Sequence, residues 1–207
     1  MRFHTPVRHR QRPPNEAGFS MLELVVVLVV TGILAAVLTP ILFNFVDEAR
    51  QTRADLEVQN IARAIQNFNR NTGKWPIFKS GIAITTTSDY YEVLLTPGEL
   101  PSVNDAAWLP GASERGDLED VLNRNTPSYG TSGRFAWRGP YASELAADPW
   151  GNAYLVSAGN LFFGQDIAGM VLSAGPNGTV ETTFAQDIGS GADDVVIGGD
   201  DVVARIR

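Results

Sequence analysis

The sequence predicts an α+β protein in which a long N-terminal helix packs its second half on a small antiparallel β-sheet and spans a membrane with its first half. Three features support this prediction: an uncharged apolar run, an amphipathic stretch that continues it, and short strand-like runs near the C-terminus. The 207 residues suit one globular core of ordinary size plus a membrane segment.

The apolar run is long enough to cross a bilayer. No residue from Leu24 to Val46 is charged, and such a helix at about 1.5 Å per residue covers the roughly 30 Å hydrocarbon core. The arginines at positions 2, 8, 10 and 12 precede the run, and the positive-inside rule places them in the cytoplasm. A secretory signal peptide is the competing interpretation, but the run is too long and no small-x-small cleavage site closes it.

One acidic residue, Glu23, stands at the head of this run. A carboxylate in hydrocarbon costs roughly 3 kcal/mol on insertion scales, so it is usually kept for a purpose. The simpler alternative is an acid at headgroup level, favoured there by the dipole at the N-terminus of a helix.

The stretch after Val46 is rich in helix formers and carries one apolar stripe with alternating spacings of four and three residues. The stripe consists of Ala54, Val58, Ile61, Ile65 and Phe68. The helix should end near Gly73, which offers a C-terminal cap, because Pro76 cannot extend it.

Short elements are predicted for the rest of the chain. The segments "SDYYEVLL" (88–95) and "SERGDLEDVLNRN" (113–125) each begin with a capping residue and are interpreted as short helices. The runs "AYLVS", "LFF" and "AGMVLSA", from residue 153 onward, are separated by turn residues and predict a small antiparallel sheet.

Composition excludes several kinds of chemistry. The chain has no cysteine, and both histidines precede Gly18, so a chain cut at that glycine would lack thiol chemistry, imidazole catalysis and ordinary zinc sites. Residues 1–18 carry a net charge of +3. Since the whole chain carries −7, the remaining residues carry −10. This negative net charge argues against nucleic acid as a partner.

Acidic residues are concentrated near the C-terminus. Between Gly139 and Ala204 there is no Lys or Arg but there are nine Asp and Glu residues. Two interpretations remain open for this region: a solvated surface, or a site that binds a cation.

The junction "EAGFSMLE" resembles the leader junction of type IV prepilins and type II secretion pseudopilins, through Gly18, Phe19, Ser20 and Glu23. The resemblance implies cleavage after Gly18 by a prepilin peptidase and methylation of the new amino group on Phe19. It implies a leader at 1–18, a transmembrane and assembly helix at 19–46, and a periplasmic pilin-like domain at 47–207. Glu23 would be fifth in the mature chain.

Assembly offers a physical role for the acid. In a stack of subunits the Glu23 carboxylate of one chain can meet the Phe19 ammonium of its neighbour, which turns two costly charges into one pair and sets the register. The resemblance also makes Pro40 an assembly residue, whose helix-weakening ring would let the stretch around it unwind. From the residues alone, a simple kink at Pro40 is an equal alternative.

Two further stretches resemble the pseudopilin pattern and point to the major pseudopilin of type II secretion. These are "NTGKWP" after the helix and "DPWGNAY", in which Asp148, Trp150, Asn152 and Tyr154 match. The region 77–138 is longer than the family's connection, so a type IV pilus subunit or a minor pilin is kept as an alternative.

The resemblance also implies a calcium site near the C-terminus. Calcium takes six to eight hard oxygen ligands, and in the related pseudopilins a glycine-rich loop and a later aspartate pair supply them. The expected ligands here are Ser173, Ala174, Asn177, Asp193 and Asp194. An acidic turn without an ion is the alternative.

The predicted function is therefore structural: a filament subunit of a type II secretion pseudopilus that drives protein export, not an enzyme. The expected partners are further copies of the chain, other pseudopilins, inner-membrane secretion components and prepilin peptidase. The expected location is the inner membrane, with the globular domain in the periplasm. A membrane-anchored enzyme with paired carboxylates, or a tethered binding protein, would leave Gly18, Phe19 and Glu23 unexplained.

Overall fold

The structure is a computed structural model that describes residues 18–80, 89–162, 166–188 and 195–207. The chain divides into two compact units between Phe45 and Val46. Each unit is described by itself.

The helix α1 spans Met21–Thr72 and contains Pro40. Every residue from Gly18 to Arg50 is exposed. Buried positions begin at Ala54 and continue along one face of the helix to Thr72. The predicted stripe is confirmed, since Val58, Ile65 and Phe68 are all at most 1% exposed.

The described residues of the second unit form seven short strands and one α-helix in addition to α1. In chain order they are β1 (Val93–Leu95), β2 (Ser102–Val103), β3 (Arg115–Asp117), α2 (Leu118–Leu122), β4 (Leu155–Ser157), β5 (Met170–Ser173), β6 (Thr179–Val180) and β7 (Val202–Arg205). Single 3₁₀ turns lie at Ala106–Trp108, Ala112–Glu114 and Gly159–Leu161.

Five strands form one sheet in the order β3-β1-β4-β5-β7, and β2 pairs with β6 in a separate ladder. The pairs β1–β4, β4–β5 and β5–β7 are antiparallel, whereas β3 runs parallel to β1. Alternate residues of the strands enter two core clusters. Leu94, Val156 and Val171 join the cluster that includes the buried face of α1, and the intervening residues join the cluster around Trp108 and Phe184.

The sequence predicted most of this architecture. The helix ends at Thr72 as expected, because Gly73 takes a φ of +68° and its N–H bonds to the carbonyl of Asn69 at 2.7 Å. The runs "AYLVS" and "AGMVLSA" contain β4 and β5. The predicted small sheet is confirmed and is mainly antiparallel, with β1 and β3 from the middle region and β7 near the C-terminus added to it.

Two local predictions were wrong. A short helix was predicted for 88–95, but the described part of that segment, 89–95, contains β1, because Val93 and Leu94 are fully buried on opposite faces of the sheet between β3 and β4. Leu161, in the run "LFF", closes a 3₁₀ turn and not a strand. The helix predicted within 113–125 exists but is short, with Asp117 as its N-cap.

Candidate processing junction, assembly helix and C-terminal loops

The junction of Gly18 and Phe19 precedes the first residue of α1 and is fully accessible. A Cβ added at Gly18 would meet no atom within 4 Å, and Phe19 is 84% exposed. The Ser20 hydroxyl oxygen accepts the N–H of Leu22 at 3.3 Å, and the Ser20 carbonyl accepts that of Leu24. Serine therefore caps the helix, and the peptide bond after Gly18 stays outside it.

Glu23 lies in the first turn of α1 and is exposed. Among the described residues it has no ion pair. The helix dipole favours a carboxylate at this end, which explains why the acid is tolerated there.

Pro40 lies within α1, and the helix continues through it to Thr72. The proline ring removes one N–H from the helix ladder. Next to it, the Thr39 hydroxyl donates to the carbonyl of Ala35 at 2.6 Å. The helix is unbroken at Pro40. Unwinding around this proline therefore stays a prediction.

The apolar first half of α1 is the one segment among the described residues that is long and apolar enough to cross a membrane. Length and composition support this assignment, and none of that window is buried against the rest of the chain.

The second half of α1 is tied to the sheet by a polar link. The Tyr154 hydroxyl donates to Glu57 Oε2 at 2.5 Å, and Arg53 Nε donates to Glu57 Oε1 at 2.8 Å. Tyr154 is 1% exposed. Burial, followed by the hydrogen bond to Glu57, raises the pKa of Tyr154 well above its usual range, so the phenol stays a donor.

The motif Asp-Pro-Trp-Gly-Asn-x-Tyr forms a turn organised by Asp148. Its Oδ1 accepts the N–H groups of Trp150 and Asn152 at 3.0 and 2.8 Å, and Gly151 takes a φ of +98° between them. Its Oδ2 accepts the Ser173 hydroxyl at 2.6 Å. Asp148 is 4% exposed, and these three bonds satisfy its buried charge.

Ser173 and Ala174, two of the expected calcium ligands, are fully buried. The Ser173 hydroxyl donates to Asp148 and accepts the N–H of Gly175, so it is already used by the turn. Sequence reasoning missed this role because Asp148 lies 25 residues away.

Asn177, the third expected ligand, sits on an exposed turn, and its side-chain oxygen accepts the N–H of Thr179 at 2.6 Å. Asp193 and Asp194 lie outside the described residues. Within the described part of the chain, no group of three or more histidine, aspartate or glutamate side chains is placed to hold a metal ion.

Asp200 and Asp201 approach the same loop and were not predicted as ligands. Asp200 Oδ2 accepts the N–H of Asn177 at 3.2 Å, and Asp201 Oδ2 accepts those of Glu181 and Thr182 at 2.9 and 2.7 Å. The other carboxylate oxygen of each residue is buried without a hydrogen-bond partner. Two such oxygens are the hard ligands that a divalent cation prefers.

Asp201 is 6% exposed, and burial raises the pKa of its carboxyl group despite the bonds from Thr182 and Glu181. Ionising this group therefore costs more in the folded than in the unfolded chain. That cost is present at neutral pH and disappears as the pH falls through the raised pKa. A bound cation would offset it. The sequence signal was the acidic pair directly before strand β7.

Comparison with known proteins agrees with the junction and with the fold. The family described as "Prokaryotic N-terminal methylation motif" matches residues 13–39. The type II secretion system core protein G of Escherichia coli K12 is 25% identical over 168 residues, which cover 81% of this chain and 87% of the relative. The type II secretion system core protein G of Aeromonas hydrophila is 24% identical over 158 residues, which cover 76% of this chain and 84% of the relative.

A fimbrial protein of Neisseria meningitidis serogroup B is 30% identical over 74 residues, which cover 36% of this chain and 44% of the relative. No solved structure matched the chain. The methylation motif and the relatives that cover most of its length show that the chain is similar to the type II secretion pseudopilins and, over a shorter stretch, to type IV pilins.

Proposed function

We propose that this protein is a structural subunit of a type II secretion pseudopilus. The observation that carries the proposal is the first half of α1. It is an exposed apolar segment headed by Glu23, which has no ion pair among the described residues, and it is preceded by an accessible Gly18–Phe19 bond. Cleavage after Gly18 by prepilin peptidase, and methylation of Phe19, produce the form that assembles.

Assembly uses the charge that cleavage creates. The new ammonium at Phe19 and the carboxylate at Glu23 of a neighbouring copy both lie at the head of the apolar segment. Each is costly alone near hydrocarbon, and their pairing in a low-dielectric filament core offsets part of that cost. The pair also selects one axial register, because a shift by one turn would leave both charges unmatched.

The protein then works by assembly and not by catalysis. It is held in the inner membrane by a single span, with the unit from Val46 onward in the periplasm, where the filament grows. Its partners are further copies of itself, other pseudopilins, inner-membrane secretion components and prepilin peptidase. The net acidity of this unit disfavours nucleic acid.

A type IV pilus subunit, or a minor pilin, is the second candidate. The similarity to a fimbrial protein favours it, although that match covers 36% of the chain, and so does the long region 77–138. Neighbouring genes distinguish the two candidates, since secretion components would indicate a pseudopilus and twitching-motility components a pilus.

We also propose that calcium binds the C-terminal loops, with the unpartnered oxygens of Asp200 and Asp201 as ligands. Asn177 lies against Asp200, and Ala174 offers its backbone carbonyl. Asp193 and Asp194 remain proposed ligands from the family resemblance. Calcium would supply the positive charge that no Lys or Arg provides between Gly139 and Ala204.

The proposed function is tested at the junction. Because a side chain at Gly18 meets nothing within 4 Å, Gly18→Leu should leave the folded chain unchanged and act through the peptidase alone. We expect uncut protein to accumulate in the inner membrane and filaments to be lost. Ala17→Leu, one residue earlier, is the matched control. Normal cleavage of Gly18→Leu would refute the proposal.

A further inference from the structure

The surface around the C-terminal end of α1 is basic and aromatic. The Phe135 ring lies over Gly73, 3.2 Å from where its Cβ would be, and the Arg134 guanidinium stands 5.5 Å from the ring centroid. The Tyr141 hydroxyl accepts bonds from the Asn71 amide and the Arg138 N–H. These contacts place Arg134, Phe135 and Arg138 beside the helix end, and the three residues are called the basic-aromatic patch.

No acid lies in either segment that builds this surface. Residues 58–80 and 121–143 contain seven Lys and Arg residues and no Asp or Glu. Among the described residues, Arg134 and Arg138 take part in no ion pair. Arg124, in the second segment, pairs with Glu119 and Asp120, so the positive charge of the patch comes from Arg134 and Arg138.

Phe135 is 62% exposed at the centre of this charge. A large aromatic side chain flanked by arginines is the composition of an interface anchor, because Phe and Arg are enriched where protein surfaces meet. The ring lies against Gly73 and has the Arg134 guanidinium over it, and the part that stays exposed is available to a partner.

A complementary cavity lies among the C-terminal loops. It has a volume of about 380 Å³ and is lined by Glu181, Asp187 and Val196, among others. Val196 is 77% exposed, so the cavity offers an apolar contact between two carboxylates. Its shape is fixed, because the Gln186 amide bonds to both the carbonyl and the N–H of Val196, at 2.9 and 2.7 Å.

The two surfaces cannot serve each other within one chain, since Phe135 rests on Gly73 and is not among the residues lining the cavity. We propose that the basic-aromatic patch of one copy binds the acidic cavity of a second copy, with Phe135 against Val196 and Arg134 facing Asp187. A contact between two different surfaces of identical chains is heterologous and repeats without closing, as a filament requires. This inference rests on the proposed function and names one of its subunit contacts.

The chain has no cysteine, so a disulfide between two single-cysteine variants reports a contact between copies. Full-length Phe135→Cys and Val196→Cys chains are co-expressed, and mixed dimers are measured in membranes after mild oxidation. Phe135→Cys with Leu100→Cys is the matched control, because Leu100 is 51% exposed and lies outside the cavity lining. We expect the first pair to cross-link well above the control.

Charge reversal tests the same contact. Arg134→Glu in the Phe135→Cys chain should lower cross-linking roughly five-fold, because attraction becomes like-charge repulsion. Asp187→Lys in the Val196→Cys chain should restore it. Cross-linking at the control level, or cross-linking indifferent to Arg134→Glu, would overturn the inference. Filaments visible by electron microscopy in that case would leave the proposed function standing, whereas uncut chains and no filaments would remove both.

Discussion

The two halves of α1 share one backbone conformation but differ in what surrounds their side chains. From Met21 to Val46 the residues are nearly all apolar and are exposed, and the one acid has no ion pair among the described residues. From Asp47 to Thr72 one face is buried from Ala54 onward, and a polar link runs from Arg53 through Glu57 to Tyr154. Burial in the second half explains folding, and lack of burial in the first half indicates a surface completed by lipid or by other subunits.

The largest expected effect separates two acids on this one helix. Glu23→Ala should abolish filament assembly while leaving membrane insertion intact, because it removes a charge that is costly in hydrocarbon and needed only for pairing between subunits. Glu48→Ala is the control, since that exposed acid has no predicted role in pairing. Filament yield and membrane fraction are the measurements. Normal filaments with Glu23→Ala would return Glu23 to a headgroup-level acid.

The next comparison uses two phenylalanines. Phe68→Ala should lower the free energy of unfolding by roughly 3–5 kcal/mol, because the ring is fully buried and its loss leaves a cavity. Phe43 is 65% exposed, so Phe43→Ala should change the same quantity by less than about 0.5 kcal/mol. Denaturant titration of the full chain in detergent measures both, since all four tryptophans lie in the unit from Val46 onward. Equal changes in the free energy of unfolding for the two variants would contradict the division of α1 into an exposed first half and a partly buried second half.

How far the sequence predicts the fold depends on how local each signal is. The end of α1 is set by Gly73 and Pro76 within one turn, and β5 by a continuous apolar run, so both were predicted. The identity of β1 depends on its pairing with β3 and β4, whose partner residues lie 22 and 60 to 64 positions away along the chain, and no local pattern shows this pairing. The unpartnered oxygens of Asp200 and Asp201 arise from tertiary packing in the same way.

Calcium should stabilise only the unit from Val46 onward, because all the proposed ligands lie there. At a hundredfold excess over its dissociation constant, a ligand that binds only the folded form adds about 2.7 kcal/mol of stability. We expect chelation to lower the Tm of the full chain, and Asp200→Asn with Asp201→Asn to remove that sensitivity. Asp55→Asn on the helix is the control.

Magnesium should replace calcium poorly, since it requires a tighter octahedron and releases its waters reluctantly. If Asp193→Asn with Asp194→Asn removed the calcium response and the Asp200 and Asp201 variants did not, the ligands would be those expected from the family resemblance. Identical melting in calcium and in chelator would leave the loops as a solvated acidic surface.

The smallest effect concerns the polar link in the second half. Glu57→Gln keeps the shape of the side chain but removes its charge, so the free energy of unfolding should fall by roughly 1–2 kcal/mol as the bonds from Tyr154 and Arg53 weaken. Asp55→Asn, exposed on the same helix, should change stability by less than about 0.5 kcal/mol. Thermal unfolding of the two variants checks this difference, and equal stabilities would mean that Glu57 is not a tie to the sheet.

In the mature protein, we expect the chain to begin with a methylated Phe19 that can pair with Glu23 of a neighbouring subunit. The mass of the mature protein purified from membranes tests this directly. We expect a chain that has lost residues 1–18 and carries one methyl group on the amine of Phe19. A mature chain that retains residues 1–18, or that begins after the apolar segment, would contradict it.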